Sequence, residues 1–465
     1  MHQMNVNQTK PAKAPKRILI ANRGEIALRV IRACRSMGWI SIAVYSEEDR
    51  DAMHTLMADQ CICIGPAQSS KSYRNIRAIL AAAEVSHADA IHPGYGFLSE
   101  NAEFAKAVED HKFIFIGPSA QHIELMGNKI GAKSAIKSLG LKTIPGVDSP
   151  LSGIEEAKSI AAEIGYPVMI KASAGGGGKG MRIAMAESEL VSAYTEAAGE
   201  AKRLFGDEEV YIEKYINNPR HIEFQILCDG KGKAIHLGER ECSIQRRNQK
   251  IWEEAPSIVL AESERLKYGK LICQAMSKLQ YKGVGTLEFL YDNGELYFME
   301  MNTRIQVEHT VTERITGIDL IKWQMRVAFD EELTLNQEDV KINGHAIECR
   351  INMEDPATFQ PCPGKILQHV TPGGPYVRID TALYPDYKVP SHYDSLGSKL
   401  IVWGEDRATC IMNVRQALHE YVILGPNTLI PLFKRLADNE DVISGNLSIK
   451  WLDQNLPMIN AAPYN

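Results

Sequence analysis

The sequence predicts an α/β region followed by α+β layers, and three observations carry that prediction. The first third alternates short apolar runs with helical stretches, a βαβα order that implies a parallel sheet with helices on both faces. After Pro219 the pattern turns to strict polar–apolar alternation with tight turns, which marks antiparallel hairpins. Between the two lies Lys171-Ala-Ser-Ala-Gly-Gly-Gly-Gly-Lys-Gly180, four consecutive glycines flanked by apolar strand-like runs.

Taken in order, Arg17 to Ala21 reads as a buried strand. Ile26, Val30, Ile31, Cys34 and Met37 then recur at helical spacing, with Gly38 placed to end that helix. Ser41 to Tyr45, Ala88 to His92 and Phe113 to Ile116 are further short strands. The turn Asn22-Arg23-Gly24-Glu25 lacks G-x-G-x-x-G, which argues against a dinucleotide site there. One helical stretch near Gln121 to Leu139 leads into a boundary at Pro145-Gly146. Ile154 to Ile164 and Glu187 to Leu204 read as helices, and Glu209 to Ile216 as a strand. His221 to Cys228 alternates strictly and is turned by Asp229-Gly230. From about Gly344 the chain mixes strand and helix between Pro/Gly-rich turns, with no internal repeat.

Bulk properties exclude several classes. The 465 residues allow roughly two to four domains. A net charge of −6 gives no support for a nucleic-acid or membrane-surface partner, so any basic patch is local. Nine scattered cysteines without CxxC or Cys/His zinc spacing predict neither disulfides nor structural zinc, as expected for a reducing cytoplasm. Residues 1–16 are polar and basic, lack the apolar core of a secretory signal, and read as a disordered tail. No run of about 18 apolar residues predicts a membrane helix.

The glycine stretch is suited to a polyphosphate. Glycine lets backbone N–H groups approach a bulky anion, and Lys171 and Lys179 add positive charge. It is not a P-loop, because Gly178-Lys179 is followed by Gly180 rather than Ser or Thr. Farther on, Asp292-Asn293-Gly294 reads as a hairpin turn. A three-residue loop there sets Tyr291 opposite Glu295 and Glu288 opposite Phe298. Glu288, Glu300, Asn302 and Arg304 then share one face, spaced roughly 6.5 Å apart along the second strand. Two carboxylates and an amide oxygen suit Mg²⁺ beside a phosphate loop, although four polar residues on a solvated face would look the same.

Further segments keep two readings each on the residues alone. Glu308 fits a general base or a helix-start glutamate. Gln245-Arg-Arg-Asn-Gln-Lys250 fits a small-oxyanion site or a solvated charge run. In His345-Ala-Ile-Glu-Cys-Arg350, Glu348 could orient Arg350 toward an oxyanion or simply pair with it. His92-Pro-Gly-Tyr-Gly-Phe-Leu-Ser-Glu-Asn101 follows a strand end, where α/β sheets bind ligands, or is a turn and helix cap.

Together these segments resemble one family. Ile20-Ala-Asn-Arg-Gly-Glu-Ile-Ala27, His92 to Asn101, the glycine stretch, Glu300-Met-Asn-Thr-Arg-Ile-Gln-Val-Glu-His309 and Glu348-Cys-Arg-Ile-Asn352 are similar to biotin carboxylase, an ATP-grasp enzyme. They follow the family's order from about Arg17 to Leu452. The resemblance implies a Rossmann-like domain at 17–130, an ATP-grasp domain at 131–343 with a mobile lid at about 145–216, and a C-terminal domain at 344–460. It implies that ATP and bicarbonate form carboxyphosphate, which releases CO₂ to biotin. Carried over by motif, ATP contacts fall on Lys129, Lys171, Gly177, Gly178, Glu213, Lys214, Tyr215, Ile216, His221, Gln245, Glu288 and Glu300. Glu288, Glu300 and Asn302 match ligands of Mg²⁺ or Mn²⁺, in two ions. Lys250, Arg304, Gln306 and Val307 match the bicarbonate site, Glu308 the base, Arg350 the stabiliser of the biotin enolate, and Tyr95 and Gly96 the biotin side.

Asn248 departs from the family's histidine, so that nucleotide contact is not carried over. The sequence given holds no Ala-Met-Lys-Met biotin-attachment segment, so biotin is expected on a separate carrier protein. Carboxyltransferase subunits and a homodimer are the other expected partners. The default pathway is acetyl-CoA carboxylation for fatty-acid synthesis, with pyruvate or another acyl-CoA as the alternative acceptors. A ligase joining a carboxylate to an amine, or a silent nucleotide-binding regulator, are the rival classes. The intact Gln306-to-Glu308 and Arg350 segments, and the intact lysines and acids, argue against them.

Overall fold

The computed structural model describes residues 14–147, 149–173 and 180–461. Residues 1–13 of the tail expected at 1–16, and the glycine loop with Gly177, Gly178 and Lys179, lie outside the described residues. The chain is already anchored at Lys16, whose ammonium sits 3.9 Å over the Phe329 ring and 3.0 Å from Glu331.

Five parallel strands form the first sheet: β1 (Arg17–Ile20), β2 (Ile40–Tyr45), β3 (Gln60–Cys63), β4 (Ala90–His92) and β5 (Ile114–Phe115), in the order β3-β2-β1-β4-β5. Strand alternation places helices on both faces. Ile18 and Ile20 pack with Ile26, Val30 and Ile31, while Leu19 packs with Ile79, Phe104 and Val108. The strand order reverses between β1 and β4, where open α/β sheets bind ligands. The two loops leaving those strand ends are tied together. Asn22 Nδ2 donates to the carbonyls of Pro93 (2.7 Å) and Tyr95 (2.8 Å). Gly94, at φ +63°, is required there, because a Cβ would lie 2.7 Å from Asn22 Nδ2.

The helical stretch expected as one piece is two helices, Ala120–Gly127 and Lys129–Ser138. Asn128 interrupts it, because its side chain accepts from Gly131 N at 2.8 Å and caps the second helix. A small antiparallel sheet follows: β6 (Val168–Ala172), β7 (Met181–Ala184) and β8 (Val210–Lys214), in the order β7-β6-β8. The helices Ile154–Ile164 and Glu187–Phe205 pack on it through Ala157, Ala161, Leu190 and Ala197.

The rest is organised by one eight-stranded antiparallel sheet. Its strands are β9 (Arg220–Asp229), β10 (Ala234–Arg246), β11 (Gln249–Ala255), β12 (Lys282–Asp292), β13 (Glu295–Asn302), β14 (His345–Asn352), β15 (Val377–Thr381) and β16 (Leu396–Gly404), in the order β13-β12-β9-β10-β11-β14-β16-β15. The sheet runs without a break across the expected boundary at 343/344, because β11 pairs with β14 through Glu253↔Glu348. Among the described residues no helix is long and apolar enough to cross a membrane. All nine cysteines are free thiols.

Candidate active site

The acidic hairpin β12–β13 forms by a different turn from the one the sequence suggested. Asp292 faces Glu295, so the loop is the two residues Asn293-Gly294, both at positive φ (49° and 83°) as a two-residue hairpin turn requires. Tyr291 therefore faces Leu296, and Phe298 faces Phe289 rather than Glu288. A register shift between Glu288 and Phe289 then sets Glu288 directly opposite Glu300. Asn302 reaches the same point, donating from Nδ2 to Glu288 Oε1 at 2.7 Å. Arg304 closes the row: Nη2 donates to Asn302 Oδ1 (2.8 Å) and Nε to Glu100 Oε2 (2.8 Å).

Behind this row the sheet presents a buried charged layer. The Lys250 ammonium donates to Glu223 Oε2 (2.5 Å), Glu288 Oε1 (2.9 Å) and Glu308 Oε1 (2.8 Å). Arg350 donates from Nη2 to the other Glu308 oxygen (3.0 Å) and from Nε to Glu253 Oε1 (2.5 Å). Here the sequence reading is corrected: the acids bonding Arg350 are Glu253 and Glu308, not Glu348. Glu348 instead accepts from Thr310. Gln306 donates to Glu288 (2.7 Å) and is itself fixed by Arg240, whose fully buried guanidinium also bonds Glu223, Gln225, Thr286 and Thr312. His221 lies 3.0 Å from Glu288 Oε2 and 3.2 Å from the Gln245 amide.

Burial raises every acid here, and the cations decide which of them stay low. Despite burial, Lys250 and Arg350 hold the Glu308 carboxyl at about 2, so it is ionised at neutral pH. Glu253, with burial dominant, is pushed up to about 7. Burial and the facing Glu288 raise Glu300. Acids that repel across a strand pair call for a cation between them, and two carboxylates with a neighbouring amide oxygen are hard donors that fit Mg²⁺. In the group His221, Glu223 and Glu288, with donor atoms within 4.8 Å of one another, both carboxylates are bonded to the Lys250 ammonium instead.

The expected phosphate lysines lie at the small-sheet side. Lys129 opens its helix, and burial lowers it while Glu300 raises it. Lys171 and Lys133 both close on the buried Glu213 carboxylate. The Lys214 side chain turns away to the carbonyls of Gly165 (3.0 Å) and Tyr166 (2.9 Å). Tyr215 N donates to Pro167 O at 3.0 Å, and Ile216 is half-buried. On the N-terminal side the Tyr95 hydroxyl donates to Glu25, Gly96 follows at φ +66°, and the Val307 carbonyl accepts from Lys399 at 2.9 Å.

Comparison with known proteins matches this arrangement. Family models described as the biotin carboxylase N-terminal domain, the carbamoyl-phosphate synthase L chain ATP binding domain and the biotin carboxylase C-terminal domain match residues 14–123, 128–336 and 348–454. The biotin carboxylase of Haemophilus influenzae is 52% identical over 95% of this chain and 99% of its own.

The chain belongs to the biotin carboxylase family.

Biotin carboxylase activity, an ATP-dependent ligase reaction, is what that membership supports. One of the pyruvate carboxylase subunits of Methanothermobacter thermautotrophicus is likewise 52% identical, over 94% of this chain and 89% of its own. A Hydrogenobacter thermophilus 2-oxoglutarate carboxylase biotin carboxylase domain, solved as a dimer with MgADP, ADP and bicarbonate, superposes with a TM-score of 0.91. It is 47% identical and covers 97% of this chain and 99% of that one. The ATP-grasp architecture read from the motifs is thus the family's fold. The biotin carboxylase motifs left out Glu223, Arg240, Glu253 and Lys399. A usable signal existed for Glu223: His221, Glu223 and Gln225 alternate on a strand whose other face is apolar, and a buried charged row on a central strand asks for partners.

Proposed function

We propose that this protein carboxylates biotin carried on a separate carrier protein, using ATP and bicarbonate, as the first half-reaction of acetyl-CoA carboxylase in fatty-acid synthesis. The observation that carries the reading is the Lys250–Glu308–Arg350 arrangement, a carboxylate bonded on both oxygens by cations beside the facing acids Glu288 and Glu300. Lys250, Arg304, the Gln306 amide and the Val307 backbone would seat bicarbonate, an anion needing just such donors. Glu308 would take its proton, making it the nucleophile toward the γ-phosphate. Lys129, Lys171 and the loop holding Gly177 and Gly178 would hold the phosphates, with residues 213–216, His221 and Gln245 around the adenosine. Glu288, Glu300 and Asn302 would hold Mg²⁺ or Mn²⁺, in two ions, which neutralise phosphate charge when bound. Arg350 would stabilise the biotin enolate beside Tyr95 and Gly96.

Next to Gly96, a cleft of about 450 Å³ is lined by Arg74, Phe97, His392, Tyr393 and Asp394. A dimeric relative supports a homodimer as the working form. The equal identity to a biotin carboxylase and to a pyruvate carboxylase component leaves the acceptor to experiment. ADP release should depend on bicarbonate and rise with free biotin. ATP turnover indifferent to both in folded protein refutes the reading. Carboxyl transfer from a biotinylated carrier to acetyl-CoA, against pyruvate and 2-oxoglutarate, with the co-purifying transferase, decides the acceptor.

A further inference from the structure

Lys399 lies on β16, far along the chain from every segment the motifs single out, and its side chain is fully buried. A buried ammonium is costly unless its donors are used. Nζ donates to the Val307 carbonyl at 2.9 Å and lies 3.2 Å from Glu25 Oε1. Glu25, the acid in the first turn of the helix Gly24–Ser36, accepts the Tyr95 hydroxyl on that same oxygen. One ammonium therefore connects the loop carrying Gln306 and Glu308 to the loop carrying Tyr95 and Gly96. Lys399 also stands directly opposite Arg350 in the β14–β16 ladder. Like charges so placed repel, and the acids beside them, Glu25 and Glu348 for Lys399 and Glu253 and Glu308 for Arg350, offset this.

We propose that Lys399, acting with Glu25, is the positioning residue that sets the bicarbonate-side loop against the biotin-side wall. It touches neither substrate. Its bond to the Val307 carbonyl fixes the peptide plane from which Glu308 departs, and its pairing with Glu25 fixes the anchor of Tyr95. This rests on the assignment of Val307 to bicarbonate and Tyr95 to biotin made above.

The test compares wild type, Lys399→Met, Glu25→Gln and the double variant in bicarbonate-dependent ADP release with free biotin. Methionine fills the lysine volume without charge, and replacing a buried ion by an apolar residue of similar size is often tolerated. In Lys399→Met, KM for bicarbonate and KM for biotin should rise together by roughly tenfold, the scale of one lost hydrogen bond to a charged group, while KM for ATP moves less than about twofold. Glu25→Gln should shift the same two constants in the same direction. The double variant should be no worse than the poorer single one, because residues acting as a unit are not additive. A merely structural lysine would lower the active fraction, and hence kcat, with the KM values unmoved, and that result overturns the proposal. So do additive effects. Should Lys399→Met not fold, Glu25→Gln, which keeps shape and hydrogen-bonding capacity, decides alone by the same KM readout. A wild type lacking bicarbonate and biotin dependence refutes the functional reading and this proposal together. A responsive wild type with unmoved variants refutes only the positioning role.

Discussion

Glu253 and Glu254 are neighbours on β11, yet they serve opposite faces of the same sheet. Glu254 sits in a closed cluster: His345 Nε2 lies 2.8 Å away, and Arg407 donates from Nε (2.6 Å) and Nη2 (3.2 Å). Arg407 spends its remaining donors on the carbonyls of Val442 and Ile443. Burial opposes its ionisation, but His345 and Arg407 prevail and hold the Glu254 carboxyl at about 2. Glu253 sits in an open cluster. One oxygen bonds Arg350 and the other, like one oxygen each of Glu25 and Glu348, is buried without a hydrogen-bond partner among the described residues. Burial leaves it near 7. On the closed side both Glu254 oxygens have donors. The substrate-facing side instead buries carboxylate oxygens that no donor among the described residues meets, at a cost in stability.

The first experiment presses hardest on that contrast. Glu308→Gln should lower bicarbonate-dependent ADP release per folded molecule by roughly 10²–10⁴-fold, the scale of a lost general base. A large loss of stability with turnover intact would make the open face structural. Glu254→Gln should differ in turnover. It should cost about 3 kcal/mol in denaturant unfolding, because it breaks a buried charge cluster, while turnover per folded molecule is retained.

The pH dependence of that difference sharpens the comparison. The Glu254 carboxyl is depressed from 4.5 to about 2 in the folded chain. Its stabilisation, about 3 kcal/mol by linkage, is therefore fully present above pH ~4.5 and lost as pH falls through ~2. The stability gap between wild type and Glu254→Gln, followed by urea unfolding, should be constant from neutral pH down to pH ~4.5 and shrink below it. A gap that grew on acidification would contradict the assignment. The smallest effect is expected at the turn joining β10 and β11. Asn248 holds φ +65°, a conformation asparagine tolerates well and histidine can also adopt. Asn248→His should change stability by less than ~0.5 kcal/mol and KM for ATP by at most about fivefold, one net hydrogen bond.

Local pattern was enough for much of this protein. The apolar strands at Arg17 and Ser41, the helix over Ile26 to Cys34, and the helix Ile154–Ile164 follow from side-chain period and end signals, which neighbours along the chain fix. The polar row Glu288, Glu300, Asn302 and Arg304 also emerged from alternation. It comes together through a two-residue turn and a bulge, where the sequence suggested a longer loop without one. The partner of Arg350 could not be read at all. Glu348, two residues away on the same strand, looked suitable, but Glu253 comes from the neighbouring strand and Glu308 from a loop that only the packed sheet brings near. Lys399, Glu25 and Tyr95 belong to segments far apart in the chain, so nothing in their local sequence announces that they meet. Residue order by itself determined which elements form and which chemistry they carry, because propensity and periodicity act over a few residues. Register shifts, bulges and shared cations depend on pairing between distant strands, and those were decided only when the sheet closed.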